Sequence, residues 1–179
     1  KIIQKECRQQ KSKLTILPKI KNIEIIKNFN PQKPWTQFVY KQKKYILNVL
    51  GDHQIRNAIP VIEAAQILGL PIKQIQTGIK KTRFPICTEI ISKNPLVILD
   101  GAHNPDKVQT TIDSIKSLKF PGNLLLVVGF SADKDIGTMC RQLGSLNPTA
   151  IFTTRSTSNP FRKGADPVYL AKILSKTCP

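Results

Sequence analysis

Residues Leu96–Asp106 read L-V-I-L-D-G-A-H-N-P-D. Leu96 to Leu99 is a short, wholly apolar run, which predicts a strand buried on both faces. The run ends on Asp100, and Gly101 supplies a position where the backbone can turn at positive φ. Asn104 and Pro105 suit an N-cap and N1 pair, with Asp106 in the first turn, where the helix dipole favours negative charge. Val108, Ile112, Ile115 and Leu118 then recur at helical spacing. Asp100 and His103 are thereby placed in a tight loop between the carboxyl end of a strand and a helix N-terminus. In open α/β sheets ligands bind there, and an acidic side chain can take ribose hydroxyls. The same residues admit a plainer use, in which Asp100 closes an Asx-type turn and His103 is a surface residue. Geometry alone leaves both open.

Outward from this stretch, the order toward the C-terminus is strand Leu96–Leu99, helix Asp106–Leu118, strand Leu124–Val128, helix Ile136–Leu143, strand Ala150–Thr153 and helix Pro167–Ser175. A loop rich in Ser, Asn, Pro and Gly spans Arg155–Asp166. Strands alternating with helices imply βαβ units and a parallel sheet, here thin and expected to be truncated. Toward the N-terminus, residues 82–88 are a connector, preceded by a helix from Pro71 to Lys81 with Ile72, Ile75 and Ile79 along one side. A longer helix covers Asp52–Leu68, its apolar face made by Ile55, Ile59, Ile62 and Ala65, with Pro60 expected to bend it. Phe38–Tyr40 and Tyr45–Val49 flank polar Lys41–Lys44 as a hairpin. Residues 19–36 are a loop with at most a short strand at Ile23–Ile26. Leu14–Leu17 is expected to be a strand stopped by Pro18, and residues 1–13 the end of a helix.

The chain has 179 residues, room for one large domain or two small ones. It holds no apolar run of membrane-spanning length and no signal-peptide pattern. Four scattered cysteines (Cys7, Cys87, Cys140, Cys178) with no C-x-x-C argue against a zinc site or disulfide framework and for a reducing compartment. The net charge of +17 invites a nucleic-acid reading. Most of it is lysine, spread along the chain among isoleucines and asparagines, as AT-rich coding tends to give, with little aromatic interleaving for base stacking. Specific nucleic-acid recognition is not expected.

Three segments in one order carry more than any one alone: G-D-H-Q-I-R-N-A at Gly51–Ala58, L-D-G-A-H-N-P at Leu99–Pro105, and G-F-S-A-D-K-D at Gly129–Asp135. Together they closely resemble the folylpolyglutamate synthase/dihydrofolate synthase family, a branch of the ATP-dependent Mur ligase superfamily. The resemblance runs from about Leu14 to near the C-terminus. It implies that residues 1–83 are the tail of the central, ATP-binding domain. Residues 84–179 would then be a Rossmann-like Mur ligase C-terminal domain with a parallel sheet, incomplete at its end. In such enzymes a carboxylate is phosphorylated by ATP to an acyl phosphate, which the amine of L-glutamate attacks. The carboxylate belongs to dihydropteroate in synthase activity and to a folate's terminal glutamate in polyglutamylation. The family's adenine-contacting Asn matches Asn57, an amide that donates and accepts at once. Its nucleotide-contacting Asp matches Asp100, and His103 lies at the same place.

Two departures qualify the resemblance. No G-x-x-x-x-G-K-[ST] phosphate loop occurs in the chain, and neither do the family's magnesium ligands. ATP and Mg2+ are therefore expected to be held mainly by a part preceding Lys1, and the chain alone is expected to be inactive. The family's connector reads W-P-G-R, its Arg reaching the ATP phosphates; here it is Phe84-Pro85-Ile86-Cys87, and a thiol supplies no fixed charge. Arg83 stands on the other side of the proline. The leading reading is a fragment of a folate-type ligase: a cytoplasmic monomer (alternatively in an organelle stroma or matrix) with small-molecule partners and no membrane contact. The alternatives are a degenerate, non-catalytic relative keeping a nucleotide-facing loop, and a basic nucleic-acid-binding module.

Overall fold

The computed structural model describes residues 2–17, 23–28, 35–120, 122–155, 161 and 163–177. Helix α1 (Ile2–Gln9) buries none of its side chains. Strand β1 (Glu24–Asn28) pairs antiparallel with β2 (Trp35–Tyr40), which pairs antiparallel with β3 (Lys43–Leu47). Lys41 and Gln42 connect β2 to β3 with φ of 47° and 60°. Positive φ at both central residues is what a two-residue hairpin needs for its turn to match the strand twist. In this register Phe38 faces Tyr45, their rings stacked at 5.4 Å.

Alternation puts Phe38, Tyr40, Tyr45 and Leu47 on one buried face. Two helices cover that face, α2 (Asp52–Ile67) with Ile55, Ile59 and Ile62, and α3 (Ile72–Lys81) with Ile75 and Ile79. The amphipathic spacing read from the sequence holds for both. Helix α2 runs uninterrupted through Pro60, which sits on its exposed side. Two side chains fasten α3 along β3: Gln76 Nε2 donates to the Lys44 carbonyl and Asn48 Nδ2 to the Lys80 carbonyl, each at 2.8 Å. At the hairpin tip, Glu63 of α2 accepts from Tyr40 Oη at 2.9 Å and pairs with Lys41 Nζ at 2.6 Å.

The second half begins with a hairpin of β4 (Glu89–Lys93) and β5 (Leu96–Leu99), joined antiparallel. Helix α4 (Pro105–Ser117) follows, with Asn104 as its N-cap accepting from Lys107 N and Pro105 at N1, as the sequence predicts. Strand β6 (Leu125–Val128), helix α5 (Ile136–Gly144) and strand β7 (Ala150–Thr153) form one βαβ unit, with β6 and β7 parallel from Leu125↔Ala150 to Val128↔Thr153. Helix α6 (Pro167–Leu174) closes the described chain, its start capped by Asp166. Val108, Ile112, Val128, Met139, Cys140 and Leu170 lie in a second core, separate from the first.

The structure corrects four expectations. Leu14–Leu17 is not a strand: the stretch has no regular structure, and Ile16 is 77% exposed. Strand β5 is not buried on both faces, since Val97 is 38% and Leu99 43% exposed. An apolar run identifies a strand but not the number of layers over it, and among the described residues β5 pairs only with its hairpin mate. Among the described residues the parallel ladder is therefore β6–β7, without β5. Strand β4 was not expected at all, because E-I-I-S-K shows no clean alternation. The expected strand near Ile23–Ile26 is present as β1. Residues 19–22 and 29–34, much of the Arg155–Asp166 loop, and Cys178 lie outside the described residues.

Two tyrosines of the first core differ in one respect. Tyr40 Oη has Glu63, whereas Tyr45 Oη is buried with no hydrogen-bond partner among the described residues. Burial, with Glu63 adding to it, pushes the Tyr40 phenol up to about 12. Tyr45→Phe is therefore expected to leave thermal stability unchanged or raise it, because it removes an unsatisfied buried group. Tyr40→Phe should cost about 1–2 kcal/mol by removing a donor from a charged acceptor. Paired denaturant melts check both signs.

Candidate functional site

The candidate site joins the start of α2, the connector and the loop after β5, and its parts are polar. Gly51 sits at φ +97° before α2, a conformation that suits glycine. A Cβ there would lie 2.5 Å from His53 Cε1 and 2.7 Å from Ser114 Oγ of α4, so any other residue would displace the His53 ring and the Ser114 hydroxyl. One turn into α2, Gln54 is 4% exposed. Its Nε2 donates to Cys87 Sγ in the connector at 3.2 Å, and its Oε1 accepts from Asn57 Nδ2 at 3.5 Å.

The connector is fastened at each step. Ile86 N donates to Glu89 Oε2, and the Ile86 carbonyl accepts from Gly101 N, both at 2.8 Å. Thr88 donates twice to Asp100 Oδ2, from its backbone N at 2.7 Å and its Oγ1 at 3.0 Å. Asp100 Oδ1 accepts from Ala102 N at 2.8 Å, an Asx-type turn. Ile86 and Thr88 both have positive φ, 57° and 48°. For β-branched residues that is a rare and strained region. His103 is exposed, and its Nδ1 lies 2.9 Å from the Gly101 carbonyl. In the neutral ring this bond puts the proton on Nδ1 and leaves Nε2 as the acceptor.

Electrostatics follow from burial. Desolvation pushes the His53 imidazole below its ordinary value and Arg56 acts in the same direction, partly opposed by Asp100, Asp52 and Asp113. Burial, reinforced by Asp100, raises the Cys87 thiol, against smaller lowering from Gln54 and Lys107. A thiol raised in this way stays protonated at neutral pH and is no nucleophile. Among the described residues no three His, Cys, Asp or Glu side chains converge to hold a metal ion. No helix of the described chain is long and apolar enough to cross a membrane.

Comparison with known proteins matches residues 83–176, more than half of the chain, to the family described as Mur ligase, glutamate ligase domain. The chain belongs to the Mur ligase family. It is similar to the folylpolyglutamate synthase of Lacticaseibacillus casei, 34% identical over 112 residues, covering 59% of this chain and 25% of that protein. Its fold matches Mycobacterium tuberculosis folylpolyglutamate synthase complexed with ADP at a TM-score of 0.78 and 18% identity, over 98% of this chain and 40% of that one. It also matches E. coli FolC in complex with ADP at a TM-score of 0.63 and 25% identity, over 78% of this chain and 34% of that one. The chain thus spans about a quarter of the length of the first of these relatives.

Within this Mur ligase chain, two of the three residues singled out from sequence belong to one arrangement. Asn57, Gln54 and Cys87 form a hydrogen-bond chain, and Thr88, next to Cys87, reaches Asp100. Among the described residues His103 bonds within its own loop, to the Gly101 carbonyl. The plainer use of Asp100 is present in full, since it does close an Asx turn. Gln54 and Thr88 were not singled out, although both are buried polar residues in the arrangement. The signal for Gln54 lay beside buried Ile55 in a helix's first turn; Thr88 offered none.

Two outcomes are expected. Ile86→Gly removes a left-handed β-branched residue, a relief of roughly 1–2 kcal/mol, against roughly 0.5–1 kcal/mol of added chain entropy. A small net stabilisation should appear in denaturant melts. For His53, a folded-state pKa below the unfolded one gives stability that is full above the ordinary imidazole range and is lost as pH falls through it. Melting temperatures taken from neutral pH downward should therefore fall more steeply for the wild type than for His53→Gln.

Proposed function

We propose that this chain is the part of an ATP-dependent folate-type ligase that holds the base and ribose of the nucleotide, divided into residues 1–83 and 84–179. The observation that carries the reading is the hydrogen-bonded arrangement that brings the H-Q-x-x-N helix, the connector and the D-G-A-H-N-P loop together. On this reading Asn57 takes the adenine and Asp100 the ribose, with His103 in the same loop as Asp100. Two relatives crystallised with ADP, the M. tuberculosis and E. coli proteins, support a nucleotide as the ligand.

The reaction of the complete ligase is then the joining of L-glutamate to dihydropteroate or to a folate polyglutamate. A substrate carboxylate oxygen attacks the γ-phosphorus of ATP and ADP leaves; the glutamate amine attacks the acyl carbon, loses a proton, and phosphate leaves. Phosphoryl transfer rests on charge neutralisation by a phosphate loop and Mg2+. The chain's sequence contains no such loop, and its described residues assemble no metal site. Its own contribution is to bind and orient the nucleoside.

A second reading, a non-catalytic relative, has one observation in its favour. Cys87 stands where the family's Arg does, and its thiol is tied to Gln54. The two are separated by titrating ADP into the chain and following amide shifts. The nucleotide reading expects shifts at Asn57, Gly101 and His103, weakened by Asn57→Ala and by Asp100→Asn. Cys87→Arg should tighten ADP on the order of tenfold, the worth of one charge-assisted bond to phosphate. The same preparation should release no phosphate from ATP with glutamate. Shifts confined to other surfaces, or indifferent to all three substitutions, would remove the reading.

A further inference from the structure

Asp100 is the side chain on which the ribose contact depends, and its acceptor capacity is nearly filled. Oδ2 takes two bonds from Thr88 and Oδ1 one from Ala102 N. An ionised carboxylate offers about four acceptor sites, so about one remains. The vicinal 2′- and 3′-hydroxyls of a ribose are two donors, and gripping both takes two sites. One existing bond must yield first.

The bond from Ala102 is local to the turn that aims Asp100. Those from Thr88 come from a separate segment, and Thr88 holds a left-handed backbone at φ 48°. Its hydroxyl makes the longest of the three bonds, at 3.0 Å. Thr88 is only 5% exposed, so water offers that hydroxyl little alternative. The hydroxyl therefore competes directly with the ligand for Oδ2.

We propose that Thr88 is a positioning residue that sets ribonucleotide affinity through Asp100, its hydroxyl occupying the acceptor site that the second ribose hydroxyl requires. The proposal rests on the nucleotide-facing role of Asp100 given above. It distinguishes ligands by hydroxyl count. A nucleotide with a single ribose hydroxyl uses the site already free and is indifferent to Thr88.

The test titrates ADP and 2′-deoxy-ADP into the 179-residue chain and its variants by amide shifts. Thr88→Val removes the hydroxyl at constant shape, and Thr88→Ala serves if valine does not fold. Either should tighten ADP on the order of three- to tenfold while moving 2′-deoxy-ADP less than about twofold. Thr88→Ser, which keeps the hydroxyl, should match the wild type. The valine variant should also melt lower, so affinity and stability move in opposite directions, which a merely structural role would not give. Equal gains for both nucleotides, or no gain, with Asp100→Asn still weakening ADP, overturns the role of Thr88 and leaves the nucleotide reading standing. ADP binding that ignores Asp100→Asn, or is absent, overturns that reading and this proposal with it.

Discussion

The Asp100 carboxylate, accepting from Thr88 and from Ala102, is the constraint on which the rest of the site depends. Each half of the chain closes an apolar core of its own, and the two cores share no residue. What sets the connector against the loop after β5 is a short list of polar contacts, with Asp100 taking two of them from Thr88 and a third bond, from Ala102, fixing its own turn. Apolar burial is non-directional and tolerates sliding. Hydrogen bonds to an ionised carboxylate are directional, and stronger than those between neutral groups. The orientation of the loop is therefore set by the weaker class of force in total energy, but the stricter in geometry.

That strictness has a cost in the backbone. To send its carbonyl to Gly101 and its N–H to Glu89, residue 86 takes a left-handed conformation, and residue 88 does so again to reach Asp100. Glycine adopts such angles freely; isoleucine and threonine do so only where their surroundings over-determine them. Isoleucine at position 86 shows that the shape forms without a glycine there. The close approach of Gly101 works in the same direction. A Cβ on Gly101 would lie 3.1 Å from Ile86 Cγ2 and 3.3 Å from the Ile86 carbonyl oxygen, tighter than ordinary contact, so glycine at 101 suits the close approach of the connector.

Periodicity made the helices legible. Ile55, Ile59 and Ile62, then Ile75 and Ile79, are buried as their spacing demands, and Asn104 caps α4 as its neighbours predict. Strands were legible where alternation or a turn marked them, as in β2 and β3. They were not where the pattern was short. Leu14–Leu17 looks like a strand but has none beside it among the described residues, whereas Glu89–Lys93 becomes one because β5 pairs with it. Pairing is a property of two segments, and a single segment does not encode it. Of the candidate site, the helix carrying Asn57 and the loop carrying Asp100 and His103 were marked by their motifs, while the roles of these residues toward a nucleotide rest on the resemblance alone. Gln54 and Thr88 were not legible, because their importance lies in which distant atoms they reach.

Gln54 shows how one substitution propagates through an amide. A guanidinium at position 87 presents only donors, so Gln54 would have to turn its carbonyl oxygen toward it. A thiol accepts, so Gln54 gives it Nε2 and turns Oε1 toward Asn57. Asn57 answers with one of its two Nδ2 hydrogens. It keeps the other hydrogen and its Oδ1, the donor and acceptor pair that an adenine edge requires. With arginine at 87 the order would reverse: Gln54 would donate to Asn57, engaging Oδ1 and leaving both hydrogens free. On the nucleotide reading proposed above, Cys87 forgoes a charged contact to phosphate yet leaves the Asn57 amide with one donor and its acceptor free, so the charge absent from the connector need not carry a nucleoside contact away with it.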